Sequence, residues 1–233
     1  MEKTNKTIKR QSLTNRIIHW MVAISTFMLI FSGFGQMPMY KRYNVVNIPG
    51  LGWSGDYSIT VILHYVFALI LVFAVVYHLV YHLIRKDFDI IPRKGDIKEA
   101  YQIIKAMLTG EKEPPSDKYL AEQRLAYAFM GGLLLAIVIS GVVKVWKNLP
   151  GVEVSDSLVY LMTTIHNGAT MLLILGIIGH LAAFIIKANR NLIPAMFSGK
   201  VQEEYVKERH SIWWKNIEKE RAEGREKMKT EAM

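Results

Sequence analysis

Four stretches of this 233-residue chain are too long and too apolar for an ordinary soluble core. A bilayer hydrocarbon core about 30 Å thick is spanned by roughly 20 mainly apolar helical residues. The segments at about 15–35, 60–84, 124–146 and 158–187 each meet that length, and the fourth is long enough to tilt or to project beyond the bilayer. The expected fold is therefore all-α and integral to a membrane, a four-helix bundle forming one domain over residues 1–233. Charge supports this by its segregation: 21% of residues are charged, and most lie in the two ends and in one connecting loop.

The basic residues orient the spans. Of 29 Lys and Arg, 25 precede or begin helix 1, lie between helices 2 and 3 or follow helix 4, and only four belong to the 1–2 and 3–4 connections. The positive-inside rule then puts both termini and the central loop in the cytoplasm. Within that loop IKEAYQIIKAMLTG reads as an amphipathic helix on the inner membrane surface, stopped by Gly110. The tail, about 200–233, reads as charged and helical, with Trp213 and Trp214 suited to an interface. No cleavable signal is expected, because the N-terminus is long and basic and its apolar block exceeds a signal core. The net charge of +9 is divided among apolar spans, which favours anionic lipid as its partner and leaves a nucleic-acid role without support.

Chemistry has to rest on the seven histidines, since the chain has no cysteine and so no disulfide, thiolate-held iron–sulfur cluster or thiolate-ligated haem. Ionisable residues within a membrane are expensive and mark function by default. His64 and His166 fall near the outer face, and His19, His78 and His180 near the inner one. His166 and His180 are 14 residues apart, which returns to within about 40° of the same helix face and separates them by roughly 21 Å. His64 and His78 repeat that interval.

This pattern suits two haems stacked across one membrane. His64 and His166 are the outer pair. His180 takes either His19 or His78, and His19 is preferred because a His-Trp pair opening helix 1 otherwise has no purpose; His78 then bonds a haem propionate or water. His82 and His210 read as interfacial or solvated. Gly33, 14 positions after His19, stands where a side chain would crowd the outer macrocycle. Gly131, Gly132, Gly141, Gly168, Gly176 and Gly179 admit the same reading or plain helix packing.

Further landmarks carry a resemblance. They are Arg16-Ile-Ile-His19-Trp20, Ser32-Gly33, Leu63-His64, Lys118-Tyr119 with Gln123, and Ser140-Gly141. Ile165-His166 with His180, Ser198-Gly199-Lys200-Val201, and His210 ahead of Trp213-Trp214 complete them. Over nearly its whole length the chain resembles the cytochrome b (gamma) subunit of membrane-bound formate dehydrogenases, within a wider group that includes the nickel–iron hydrogenase cytochrome b. The resemblance implies two haem b groups, with His64 and His166 on the outer iron and His19 and His180 on the inner one. It also implies an iron–sulfur subunit and a catalytic oxidoreductase subunit on the outer side of a bacterial inner membrane, and it admits a higher oligomer. A quinone (menaquinone or ubiquinone) would bind near the inner haem, in the vicinity of Lys118, Tyr119, Leu120 and Gln123. Where the family often has Lys-Tyr-Asn, this chain has Lys118-Tyr119-Leu120, so an Asn contact is lost and only a backbone contact remains there.

Two other readings make different demands. A cytochrome anchor of a hydrogenase or another oxidoreductase would share the wiring and differ only in its partner. A histidine-relay proton channel or transporter would need a polar lining, and the helix interiors offer little beyond Ser25, Thr26, Thr163, Thr164 and Asn167. Quinone reduction is the one chemical step expected on this chain.

Overall fold

The computed structural model describes residues 6–231. Residues 1–5 and 232–233, which belong to the basic N-terminus and the tail, lie outside the described residues. The order of elements is β1 (Thr7–Lys9), α1 (Leu13–Gly35), α2 (Pro38–Arg42), α3 (Tyr57–Arg85), α4 (Asp96–Thr109), α5 (Ala121–Trp146) and α6 (Asp156–Ala182). After these come α7 (Lys187–Arg190), α8 (Ile193–Ser198), β2 (Lys200–Gln202), α9 (Glu203–Arg209) and α10 (Ser211–Glu231). Among the described residues, four helices have the length and apolarity of membrane spans: α1, α3, α5, and α6 with its 3₁₀ extension to Ile185. A helix satisfies its own backbone polar groups, as hydrocarbon demands, and the expected all-α integral-membrane fold is what the chain adopts.

Local chemistry sets the helix ends. Asp56 caps α3, its Oδ1 accepting from the N–H groups of Ser58 at 2.8 Å and Ile59 at 3.3 Å. At the start of α5, Gln123 Oε1 accepts from the Leu120 N–H at 3.4 Å, which is half of a capping box. The last carbonyls of the fourth span are taken by side chains further on: Asn189 Nδ2 donates to Ala183 O, while Arg190 donates to Phe184 O and Ile185 O. As the sequence led one to expect, α4 stops at Gly110, whose φ of +75° would strain any side chain.

The chain divides into two compact units. The first comprises Leu13–Lys86 and Gly132–Leu175. In it α1 packs along α3, and their connection is tight at Gly35, where an added Cβ would stand 2.8 Å from Thr60 Cγ2 and 3.0 Å from Ser54 O. The Tyr40 and Ser54 hydroxyls bond at 2.7 Å to fix that connection.

The second unit comprises the described parts of Met1–Ser12, Asp87–Gly131 and Gly176–Met233. Here β1 and β2 pair antiparallel, with Ile8 opposite Val201. Ile8, Ala195, Val201, Tyr205 and Val206 form a small core, against which Trp213 and Trp214 pack. The two tryptophans are half-buried against this core. A second core joins Ala100 and Ile103 of α4 to Leu120 and Ala121. On another face of α4, Ile97, Tyr101, Ile104 and Leu108 stay exposed as an i, i+4, i+7, i+11 stripe.

His210 departs furthest from expectation. It reads from sequence as interfacial or solvated, yet it is fully buried. Burial, with the Arg10 charge adding to it, lowers its pKa to about 3. Between pH 6.5 and about 3 the unfolded chain takes up a proton here that the folded chain refuses. Stability should therefore fall through that window as pH falls, by up to about 1.4 kcal/mol per pH unit from this group. Thermal unfolding of His210→Gln should show a flatter pH dependence than the parent over the same range; an equal slope would assign the effect to other groups.

Candidate haem-ligand site

The site begins with two serines that cannot donate to it. Inside α1, Ser32 Oγ lies 2.7 Å from the Met28 carbonyl, and inside α5, Ser140 Oγ lies 2.6 Å from the Ala136 carbonyl. A carbonyl only accepts, so each hydroxyl proton is committed to its own helix. Ser32 Oγ is also 3.0 Å from His64 Nδ1, and Ser140 Oγ is 3.1 Å from His166 Nδ1. With the hydroxyl proton already placed, the imidazole must donate in both cases. Both rings are therefore Nδ1–H tautomers, and each Nε2 carries the lone pair that a metal requires.

A glycine follows each serine. A Cβ on Gly33 would stand 3.5 Å from His64 Cε1, and one on Gly141 would stand 3.4 Å from His166 Cε1. The Ser-Gly pair of α1 thus does for His64 what the Ser-Gly pair of α5 does for His166: the hydroxyl sets the tautomer and the missing side chain lets the ring lie against the helix. Among the described residues, and apart from its chain neighbours and its own helix backbone, nothing lies within 4 Å of where a Cβ would stand on Gly131, Gly132, Gly168 or Gly179, whereas Gly176 faces Met130 and Phe129.

The centroids of the His64 and His166 rings are 6.4 Å apart. Metal–imidazole bonds of about 2.0 Å, with the ring centre about 1.2 Å beyond the nitrogen, would put the centres of two imidazoles that share one metal up to about 6.4 Å apart. Spacing, tautomer and the glycine clearances all fit one haem iron held between these two residues. Gly141→Val would push its extra methyls into the His166 ring. We expect that variant to lose about one haem per chain, read by pyridine haemochrome assay; full occupancy would mean that the clearance is not needed.

The remaining histidines are placed as follows. His19 of α1 meets Trp20 edge-on at 5.6 Å, and His180 of α6 meets Phe184 at 5.7 Å. His78 lies against His82, one turn along α3, at 4.4 Å between ring centroids.

The quinone-loop residues sit together in the second unit. Lys118 Nζ lies over the Tyr119 ring at 5.2 Å. Tyr119 Oη accepts from Gln11 Nε2 at 3.3 Å, and Gln123 Oε1 accepts from Arg10 at 3.1 Å. Leu120 is fully buried in the core beneath α4, its N–H given to Gln123 and its carbonyl to the Gln123 and Arg124 N–H groups. Arg10 and His210 were not among the candidates drawn from the sequence. His210 enters there only as a landmark of the resemblance, and Arg10, between Lys9 and Gln11, gives no signal of its own.

Apolar spans with a serine-set histidine pair at the spacing of one iron describe a membrane haem protein of the cytochrome b class. The model of the prokaryotic cytochrome b561 family matches residues 10–199, and the chain belongs to that family. It is 27% identical over 225 residues to the cytochrome b556(Fdn) subunit of the nitrate-inducible formate dehydrogenase of Escherichia coli, covering 94% of this chain and 95% of that one. It is 25% identical over 223 residues to the cytochrome b556 subunit of formate dehydrogenase of Haemophilus influenzae, covering 92% and 86%. The protein is a multi-pass bacterial membrane cytochrome b of a respiratory oxidoreductase, and it binds haem b.

Proposed function

We propose that this chain is the di-haem membrane subunit of a formate dehydrogenase-like complex, one domain over residues 1–233. It carries electrons inward from an iron–sulfur subunit on the outer side to a quinone near the cytoplasmic face, in a bacterial inner membrane with both termini cytoplasmic. The observation that carries this is the His64–His166 pair, whose tautomers and 6.4 Å spacing suit one iron. His19 and His180 hold the second, inner haem. Their matching depth supports that pairing, as does the 14-residue repeat from His166 to His180. When bound, a bis-histidine haem supplies an iron that takes and releases single electrons.

The chain's own residues do the rest. His64 and His166 orient the outer group, Ser32 and Ser140 hold those rings, and the apolar spans exclude water from the path. Lys118, Tyr119, Leu120 and Gln123 form the vicinity in which menaquinone or ubiquinone is reduced, with protons drawn from the cytoplasm. Its likeness to cytochrome subunits of formate dehydrogenases supports a formate-oxidising catalytic partner beyond the iron–sulfur subunit. A strongly reducing donor also fits the energetics, because each charge moved against 100 mV requires about 2.3 kcal/mol.

A direct test mixes the purified, dithionite-reduced protein with menadione or decylubiquinone in a stopped-flow spectrometer. The b-type α-band should decay as the quinone oxidises the protein, at a rate that saturates with quinone concentration. A band that persists with both quinones would defeat the quinone half of the reading and leave the haem half standing.

A further inference from the structure

We infer that Arg10 is a positioning residue that sets the hydrogen-bond polarity of the quinone loop, turning Gln123 so that it offers a donor to a quinone carbonyl. The inference rests on the reading that places a quinone beside Lys118–Gln123.

Arg10 is only 5% exposed. One terminal nitrogen of its guanidinium is 3.2 Å from His210 Nε2 and the other is 3.1 Å from Gln123 Oε1. The rings of Tyr119 and Trp213 lie 5.4 and 5.7 Å from the guanidinium carbon. None of these partners is a carboxylate. A buried cation held by neutral acceptors is a poor device for stability, since no opposite charge offsets its desolvation. It is a good device for orientation, because guanidinium can only donate.

Each partner's role follows from that constraint. His210 Nδ1 lies 2.7 Å from the Asp117 carbonyl, so the ring's proton is on Nδ1 and Nε2 is the acceptor that Arg10 meets. His210 thereby ties the latch to the loop at Asp117, and the Ile212 N–H adds a bond to Ser116 O at 3.1 Å. Gln123 Oε1 faces two donors, Arg10 and the Leu120 N–H. Its carboxamide cannot be flipped without setting NH₂ against both of them. The outward end of Gln123 is therefore Nε2, a donor. Tyr119 is biased the same way, since its oxygen accepts from Gln11 Nε2 and its O–H is left to give. A quinone presents carbonyl oxygens, which only accept, and a loop with its acceptors occupied from behind is matched to them.

Gln123→Glu separates this role from a merely structural one. A carboxylate at 123 pairs with Arg10 more strongly than the amide does, so the latch is kept or tightened, but no N–H remains for the quinone. In the stopped-flow reoxidation assay with decylubiquinone, the half-saturating quinone concentration should rise roughly tenfold, the loss of about one hydrogen bond. Haem content should be unchanged. Arg10→Met should raise it similarly, and Arg10→Lys, which keeps a donor, should recover part of the loss. An unchanged half-saturating concentration in Gln123→Glu, with Tyr119→Phe raising it, would overturn the role of Arg10 and Gln123 while keeping the quinone at this loop. No effect from Tyr119→Phe, Lys118→Ala or Gln123→Glu would remove the quinone from the loop and the inference with it.

Discussion

His166→Ala should leave the protein folded in the membrane with one haem fewer per chain, and His64→Ala should give the same result. The two residues would act as a unit: imidazoles 6.4 Å apart would hold one iron between them, and removing either ring would leave the other without its partner in holding it. The double variant should therefore lose no more haem than either single one, which is the non-additivity expected of side chains sharing one partner. Ser140→Ala belongs to the same series with a smaller effect. It removes the acceptor that fixes His166 Nδ1 at 3.1 Å, and loss of such an outer partner typically weakens metal binding about 10–100-fold. Haem content after dilution and gel filtration reads all four variants. Retention of both haems in His166→Ala would show that this residue is not a ligand.

The second large effect is expected away from the spans' apolar surface, at Arg124. Its guanidinium bonds both oxygens of Asp96, at 2.6 and 2.8 Å, and the Tyr119 carbonyl at 2.6 Å. The two side chains are 4% and 3% exposed. Arg124→Ala would strand a buried carboxylate and release both α4 and the loop before α5, a change that typically costs about 3–5 kcal/mol. Asp96 adds a pH signature. Its hydrogen bond to Arg124 holds its pKa below the ordinary aspartate value of 3.8. The pair's contribution is present above that value and is lost as pH falls through the lower, folded pKa. Acid unfolding of the parent should thus carry a component below about pH 3.8 that Asp96→Asn lacks. An Arg124→Ala protein as heat-stable as the parent would show that the pair is not needed to hold α4.

Much of this architecture is legible from the chain alone because its signals are long. A block such as residues 60–84 is apolar over more than six turns, and no local preference competes with it. Gly110 marks the end of α4 because only a residue that tolerates a left-handed turn ends a helix so abruptly. His64 and His166 stand out because imidazoles are rare in hydrocarbon. What the sequence hides is whatever depends on a partner far along the chain. The strand Thr7–Lys9 has three residues, and its meaning lies in Lys200–Gln202. His210 looks like one more polar residue in a charged tail until Arg10 and Asp117 are brought to it. Trp213 and Trp214 look interfacial because aromatic pairs beside basic residues usually are, and the small core they also pack against is assembled from segments far apart in the chain. Ser32 and Ser140 were visible only as landmarks. Their role appears once the backbone carbonyl that takes each hydroxyl proton is identified.

The measurement that bears most directly on the account is the haem stoichiometry of the purified protein, by pyridine haemochrome assay with a reduced-minus-oxidised spectrum, alongside His19→Ala and His78→Ala. The account predicts two b haems per chain in the parent, one in His19→Ala and two in His78→Ala. Two haems that survive His19→Ala but not His78→Ala would move the inner ligand to α3, and a folded parent protein with no haem would contradict the account at its centre.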